Sequence, residues 1–228
     1  MIPILLTRPC GQSQATAARL RAQRPAAQIE MAPLIRIAHC VLPEVAAGEA
    51  LILTSANAVA AWVAGGGAGA RDAWVVGPRT AGAARAAGLR VRHVAPDAAA
   101  LIDAVPEGVG PLVHLHGAHL RVDVAVALAR RGFAARGVVV YDQEACPLTP
   151  AARAILAAGP VLCPLYSPRT ARLLVAACPA GALGNLRAVC LSPSVAEALP
   201  VEVVAVAESP DGATLERAVI GALDRIGG

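Results

Sequence analysis

Ala73-Trp74-Val75-Val76-Gly77-Pro78-Arg79-Thr80-Ala81 reads as a buried strand turning at once into a helix. Its last four residues return at the end of Val161-Leu162-Cys163-Pro164-Leu165-Tyr166-Ser167-Pro168-Arg169-Thr170-Ala171. Proline suits a first helical position, where its missing N–H has no intrahelical acceptor to lose, and Gly77 or Ser167 in front of it stands at the N-cap. The arginine is the unexpected part. It lies at the positive end of the helix dipole, a placement that costs roughly 0.3–1 kcal/mol unless an anion comes near. Two such corners point to a ligand that carries negative charge.

Outward from these corners, short apolar runs alternate with Ala/Arg-rich segments of helical period, the pattern of a parallel sheet covered by helices on both faces. The strand candidates are Ile4–Thr7, Gln28–Met31, Leu51–Thr54, Trp74–Gly77, Arg90–Val94, Leu112–Leu115, Val138–Tyr141, Val161–Leu165, Val189–Leu191 and Val201–Val206. These are too many for one small sheet, and internal echoes divide them. Leu53-Thr54-Ser55-Ala56-Asn57 returns as Leu165-Tyr166-Ser167-Pro168-Arg169, Val76-Gly77-Pro78-Arg79-Thr80-Ala81 as Leu191-Ser192-Pro193-Ser194-Val195-Ala196, and Pro96-Asp97 as Pro210-Asp211, all 112 to 115 positions apart. The chain thus reads as two similar halves. Crossings near Pro33–Ile37 and Asp142–Pro147 make domain 1 discontinuous, residues 1–35 and 143–228, with domain 2, residues 36–142, inserted into it. Neither crossing is Gly/Ser-rich, so a hinge is expected rather than a loose tether.

Composition removes whole classes of chemistry. All 20 basic residues are arginine, against 16 acidic ones, for a net charge of +4. Without lysine there is no Schiff base, no pyridoxal phosphate attachment and no P-loop ending in Gly-Lys-Ser/Thr. Aromatic residues make up 2% of the chain, too few to stack single-stranded bases, and the basic residues form no block, so no nucleic-acid partner is expected. The cysteines Cys10, Cys40, Cys146, Cys163, Cys178 and Cys190 include no CxxC pair and read as small apolar core residues in a reducing compartment. The chain opens directly on Ile2-Pro3-Ile4-Leu5-Leu6, and its uncharged apolar stretches, Ala58 to Ala70 and Leu173 to Gly184, fall short of the ~20 residues of a spanning helix. A cytoplasmic protein without a membrane partner is expected.

Six motifs in order, Leu5-Leu6-Thr7-Arg8-Pro9, Ile52-Leu53-Thr54-Ser55-Ala56-Asn57-Ala58-Val59, Val76-Gly77-Pro78-Arg79-Thr80-Ala81, Gly117 with Arg121, Val140-Tyr141, and Ser192-Pro193-Ser194-Val195-Ala196-Glu197-Ala198-Leu199, run from end to end of the chain. Together they resemble the uroporphyrinogen-III synthase family. The resemblance implies two flavodoxin-like α/β domains with parallel sheets, one inserted into the other, joined by a two-stranded connector, with the cleft between them as the site. It implies a cofactor-free hydro-lyase that takes the linear tetrapyrrole hydroxymethylbilane, expels water, inverts ring D through a spiro intermediate and closes uroporphyrinogen III. The implied setting is a monomer that receives its substrate from hydroxymethylbilane synthase.

The residues themselves lead to a similar ligand. In open parallel sheets ligands sit beyond the carboxyl ends of the strands, where helix N-termini present free N–H groups. Thr7, Arg8, Ser55, Asn57, Gly77, Arg79, Thr80, His116, Gly117, Arg121, Ser167, Arg169 and Ser192 occupy those turns and form the candidate binding set for substrate carboxylates. Helix capping alone would also account for Ser55, Thr80, Ser167 and Ser192, and solvation for the exposed arginines. Tyr141 by residue type reads as a packed tyrosine; the resemblance casts it as the acid nearest the departing hydroxyl, a role that a phenol of ordinary pKa near ~10 can fill. His114, His116 and His119 lack further ligands at metal-binding spacing, so no metal is expected and His116 reads as a donor to a carboxylate. The late motif departs from the family's Gly-Pro-x-Thr-Ala at Ser192 and Val195, which leaves a rival reading: a non-catalytic two-domain module, derived from the enzyme, that binds an anionic ligand.

Overall fold

The structure is a computed structural model that describes residues 2–227; the expected ends of domain 1, Met1 and Gly228, lie outside the described residues. In chain order the elements begin β1 (Ile4–Leu6), α1 (Cys10–Gln23), β2 (Ile29–Met31) and β3 (Ile35–His39). There follow β4 (Ala50–Leu53), α2 (Ala56–Ala64), β5 (Asp72–Val76), α3 (Pro78–Ala86), β6 (Arg90–Ala95) and α4 (Ala98–Ala104). Next come β7 (Leu112–Gly117), α5 (Val124–Arg130), the long β8 (Ala135–Ala145), α6 (Pro150–Ala158), β9 (Val161–Leu165) and α7 (Pro168–Ala177). The chain closes with β10 (Leu186–Cys190), α8 (Pro193–Ala196), β11 (Val203–Val206) and α9 (Gly212–Gly227). By internal contacts it forms two compact units, one of Met1–Arg36 with Glu144–Gly228 and one of Ile37–Gln143. The boundaries fall inside β3 and β8, which are neighbours in one sheet.

In the first unit the strand order is β11-β10-β9-β1-β2, with the paired strands parallel. Numbered from β1, this is the flavodoxin-like order 2-1-3-4-5. The second unit repeats it as β6-β5-β4-β7-β8, again parallel, with β3 added beyond β8. The strand and helix pairs β4/α2, β5/α3 and β6/α4 therefore occupy the places of β9/α7, β10/α8 and β11/α9. The short echoes seen in the sequence mark equivalent corners.

Strand alternation divides each core between the two sheet faces. Ile4 and Leu6 join the cluster with Leu20, Leu215 and Val219, while Leu5 lies opposite with Leu156, Leu165 and Leu174. Leu51 and Leu53 pack with Val59, Trp62 and Val75, while Ile52 joins Trp74, Leu101 and Leu128. β3 was not among the strand candidates; its Ile-Arg-Ile-Ala-His run alternates correctly, but it begins directly after the Pro33-Leu34 crossing and hides there. The cysteines also differ from expectation. Cys163 and Cys190 alone are buried, whereas Cys10 and Cys40 are exposed and Cys146 and Cys178 half-buried, because cysteine is small enough to be tolerated on any face.

Cys163 has a specific task. Leu162 N–H donates to the Pro3 carbonyl at 2.9 Å, and by the same ladder spacing Pro164 should supply Leu5, but proline has no N–H. The Cys163 Sγ, fully buried, meets the Leu5 carbonyl instead at 3.4 Å. Burial pushes its thiol far above the ordinary range, so it remains a protonated donor. Among the described residues no helix is long and apolar enough to cross a membrane.

Two features of the second unit generate tests. Gly77 caps α3 at φ 79°, ψ 151°, a region closed to side-chain-bearing residues. Gly77→Ala is expected to destabilise the fold by about 1–3 kcal/mol. Gly82→Ala, in the same helix with open space around its Cβ, is expected to stabilise it by about 0.5–1 kcal/mol; urea unfolding separates the two signs. The second feature is His114, 1% exposed, which shares a strand face with His116 at a ring separation of 4.9 Å and touches Thr54 Oγ1 through Nε2 at 3.2 Å. Burial first, then the neighbouring His116, push its pKa down from 6.5 to about 4, against a small pull from Asp123. Above pH 6.5 the ring is neutral in folded and unfolded chains alike; as pH falls toward 4 only the unfolded chain takes up the proton. Stability should therefore drop across that window by on the order of 3 kcal/mol, and His114→Gln should remove that part of the slope in unfolding curves taken at successive pH values.

Candidate active site

The carboxyl ends of the strands in the second unit open onto a cleft of about 520 Å³. The ends of β4, β5 and β6 contribute Thr54, Ser55, Val76, Pro96 and Asp97; β7 and the segment after it contribute His116, Gly117, His119, Leu120, Arg121 and Val122; β8 contributes Tyr141. Apolar and polar side chains are thus interleaved. A ligand with flat apolar rings and charged arms matches such a lining.

Tyr141 is 7% exposed, and its ring belongs to the core cluster with Leu53 and Leu115. It stands against Gly117, its partner across a register shift in the β7–β8 ladder. A Cβ on Gly117 would lie 2.7 Å from the ring carbons and 3.0 Å from the Tyr141 hydroxyl. Glycine at this position is what admits the ring. The Tyr141 carbonyl accepts from Ala118 N–H at 3.0 Å, fixing the strand end beside it.

His116 lines the same cleft at 8% exposure, but its Nδ1 lies 2.8 Å from the Gly117 carbonyl and donates there. Its Nε2 packs on Gly137, where an added Cβ would come within 2.9 Å. The ring therefore props the β7 end; the geometry gives the expected carboxylate-donor role no free hydrogen at Nδ1. Ser55 Oγ caps α2, accepting from Asn57 N–H at 3.2 Å, and still borders the cleft. Arg121 is exposed at the rim and, among the described residues, meets no carboxylate. His119 Nε2 stands 3.9 Å from Asp142 Oδ1.

Other expected residues lie at neighbouring corners without lining the cleft. Asn57 is half-buried in the first turn of α2. Gly77 N–H donates to the Ala95 carbonyl at 2.9 Å, Arg79 is exposed, and Thr80 is 5% exposed on the buried side of α3. The structure thus brings together Ser55, His116, Gly117, Arg121 and Tyr141. Asp97, named in the sequence only as part of the repeated Pro-Asp pair, joins them.

The first unit presents its own row of corners. Thr7 is 1% exposed with its hydroxyl unpartnered, and the Arg8 guanidinium lies 3.9 Å above the Tyr166 ring, a cation–π contact that fixes its direction. Tyr166 was missed; its buried hydroxyl also lacks a partner. Ser167 Oγ accepts from Thr170 N–H at 3.1 Å and caps α7, with Arg169 in the first turn. Ser192 sits at the N-cap of α8 but does not cap it, its hydroxyl meeting Ser194 Oγ at 2.9 Å instead. Val195 is 1% exposed within the core. Among the described residues no group of three or more His, Cys, Asp or Glu could hold a metal ion.

A family model described as uroporphyrinogen-III synthase HemD matches residues 14–217. Among solved structures the fold is similar to uroporphyrinogen-III synthetase from Helicobacter pylori, with a TM-score of 0.66 at 16% identity over 97% of this chain and 99% of that one. It is also similar to a mutant uroporphyrinogen III synthase from the extremely thermophilic bacterium Thermus thermophilus, with a TM-score of 0.57 at 17% identity over 99% and 100% of the two chains. No curated protein matches the chain significantly in sequence. With the family model covering most of its length, the chain belongs to the uroporphyrinogen-III synthase family, enzymes of tetrapyrrole biosynthesis.

Proposed function

We propose that this chain closes hydroxymethylbilane to uroporphyrinogen III, inverting ring D and expelling water, as a lyase without a cofactor. The observation that carries the proposal is Tyr141, set over Gly117 in a cleft that mixes apolar side chains with Ser55 and Arg121. Its phenol gives a proton to the terminal hydroxyl, which departs as water. Ring D then attacks through its substituted carbon, and the spiro intermediate opens and recloses with the ring inverted. Most of the rate comes from holding a flexible chain folded so that ring D meets ring A, an effect that reaches ~7–11 kcal/mol in well-oriented cases.

In the same reading strand-to-helix corners are the anion-binding places, with Arg79 and Arg121 serving in the second unit and Arg8, held on Tyr166, standing with Ser167, Arg169 and Ser192 as candidates in the first. Thr7, Asn57, Gly77 and Thr80 shape these corners. The protonated Cys163 donor suits a reducing, cytoplasmic setting. A monomer that receives its substrate from hydroxymethylbilane synthase completes the proposal. Val195 does not favour the non-catalytic alternative, because its side chain belongs to the core.

Supplying hydroxymethylbilane and separating the products tests the reading. The III isomer should predominate; the I isomer alone, the product of spontaneous closure, would contradict it. Tyr141→Phe should slow turnover at least about tenfold with the fold intact. Gly117→Ala, whose Cβ displaces the tyrosine ring, should cost a similar factor, and combining the two should add little because both act through one hydroxyl.

A further inference from the structure

Asp97 and Asp211 are equivalent residues of the two units, each following a proline and capping the helix that comes after β6 or β11, an edge strand of its sheet. Asp211 is saturated. Its Oδ1 accepts from Thr214 N–H at 2.9 Å, and its Oδ2 accepts from Ser209 Oγ at 2.5 Å and Thr214 Oγ1 at 2.7 Å. The positions of Ser209 and Thr214 are taken in the second unit by Ala95 and Ala100. Asp97 accordingly keeps only the capping bond, Ala100 N–H to Oδ1 at 2.9 Å. Among the described residues no donor meets its Oδ2, and the residue lines the cleft that holds Tyr141.

A half-free carboxylate is an odd wall for a substrate bearing many carboxylates, since like charge weakens binding. It becomes intelligible from the reaction, and here the argument rests on the function proposed above. The C–O bond of the hydroxymethyl group breaks with its electron pair going to oxygen, which takes the Tyr141 proton and leaves as water. The pyrrole nitrogen lone pair fills in behind it, forming an exocyclic C=C bond, and the ring carries one positive charge until ring D adds. The phenolate is reprotonated when ring D later releases its proton. We propose that Asp97 is the counter-charge to this transient cation. Its second oxygen is left open by two alanines, where the sister unit closes the same position with two hydroxyls.

The test exploits the conflict between ground state and transition state. Asn and Ser cap helices as well as Asp, so Asp97→Asn and Asp97→Ser should keep the unfolding midpoint. A fixed charge facing a developing one acts only when the cation forms, so kcat should fall at least about tenfold while KM stays level or drops as the repulsion is removed. Asp211→Asn serves as control, with lower stability and unchanged kcat. A wild-type kcat in both Asp97 variants, with the III isomer still formed, would overturn this inference and leave the function standing; a fall in kcat/KM carried by KM alone would overturn it equally. Wild-type protein yielding only the I isomer would remove both.

Discussion

Parallel strand pairing is the constraint on which the molecule depends. From β11 to β2 and from β6 to β8 the paired strands run parallel, so each strand-to-helix corner falls at the same edge of its sheet. Helix N-termini with unspent N–H groups collect there, and so do the residues that follow the strands. The chain needs no concentrated basic patch to meet an anion. It needs corners, and its composition of small residues, arginine and proline builds them.

The corners were legible because their chemistry is local. Proline at the first helical position and Ser or Gly before it are bound to their meaning by backbone geometry, and α3 and α7 start where Pro78 and Pro168 stand. The repeated halves were legible for the same reason: the echoes fall on corners, which vary less than helix surfaces. What failed depends on distant neighbours. Burial of each cysteine is decided by what packs on it, and β3 is a strand because β8 lies beside it. Asp97 looked like any helix cap until the cleft, lined by residues from β4 to β8, appeared around it.

Duplication gives the molecule an internal standard. Thr80 and Val195 occupy equivalent places, and both are nearly inaccessible, at 5% and 1%. The position faces the core in either half, so exchanging a hydroxyl for a methyl there alters packing rather than the cleft. The Asp97 and Asp211 pair shows the opposite case, in which the same capping residue is sealed in one unit and open in the other. Frame and chemistry have separated: the two units share one strand order while their side chains differ at equivalent corners.

Pro164 interrupts a central strand, and the sheet tolerates it because a sulfur hydrogen fills the gap at Leu5. A sulfur that has become a sulfinic acid or carries glutathione has no such hydrogen to give, and the Leu5 oxygen would be stranded dry between strands. Once the sheet has formed, full burial keeps oxidants from that sulfur.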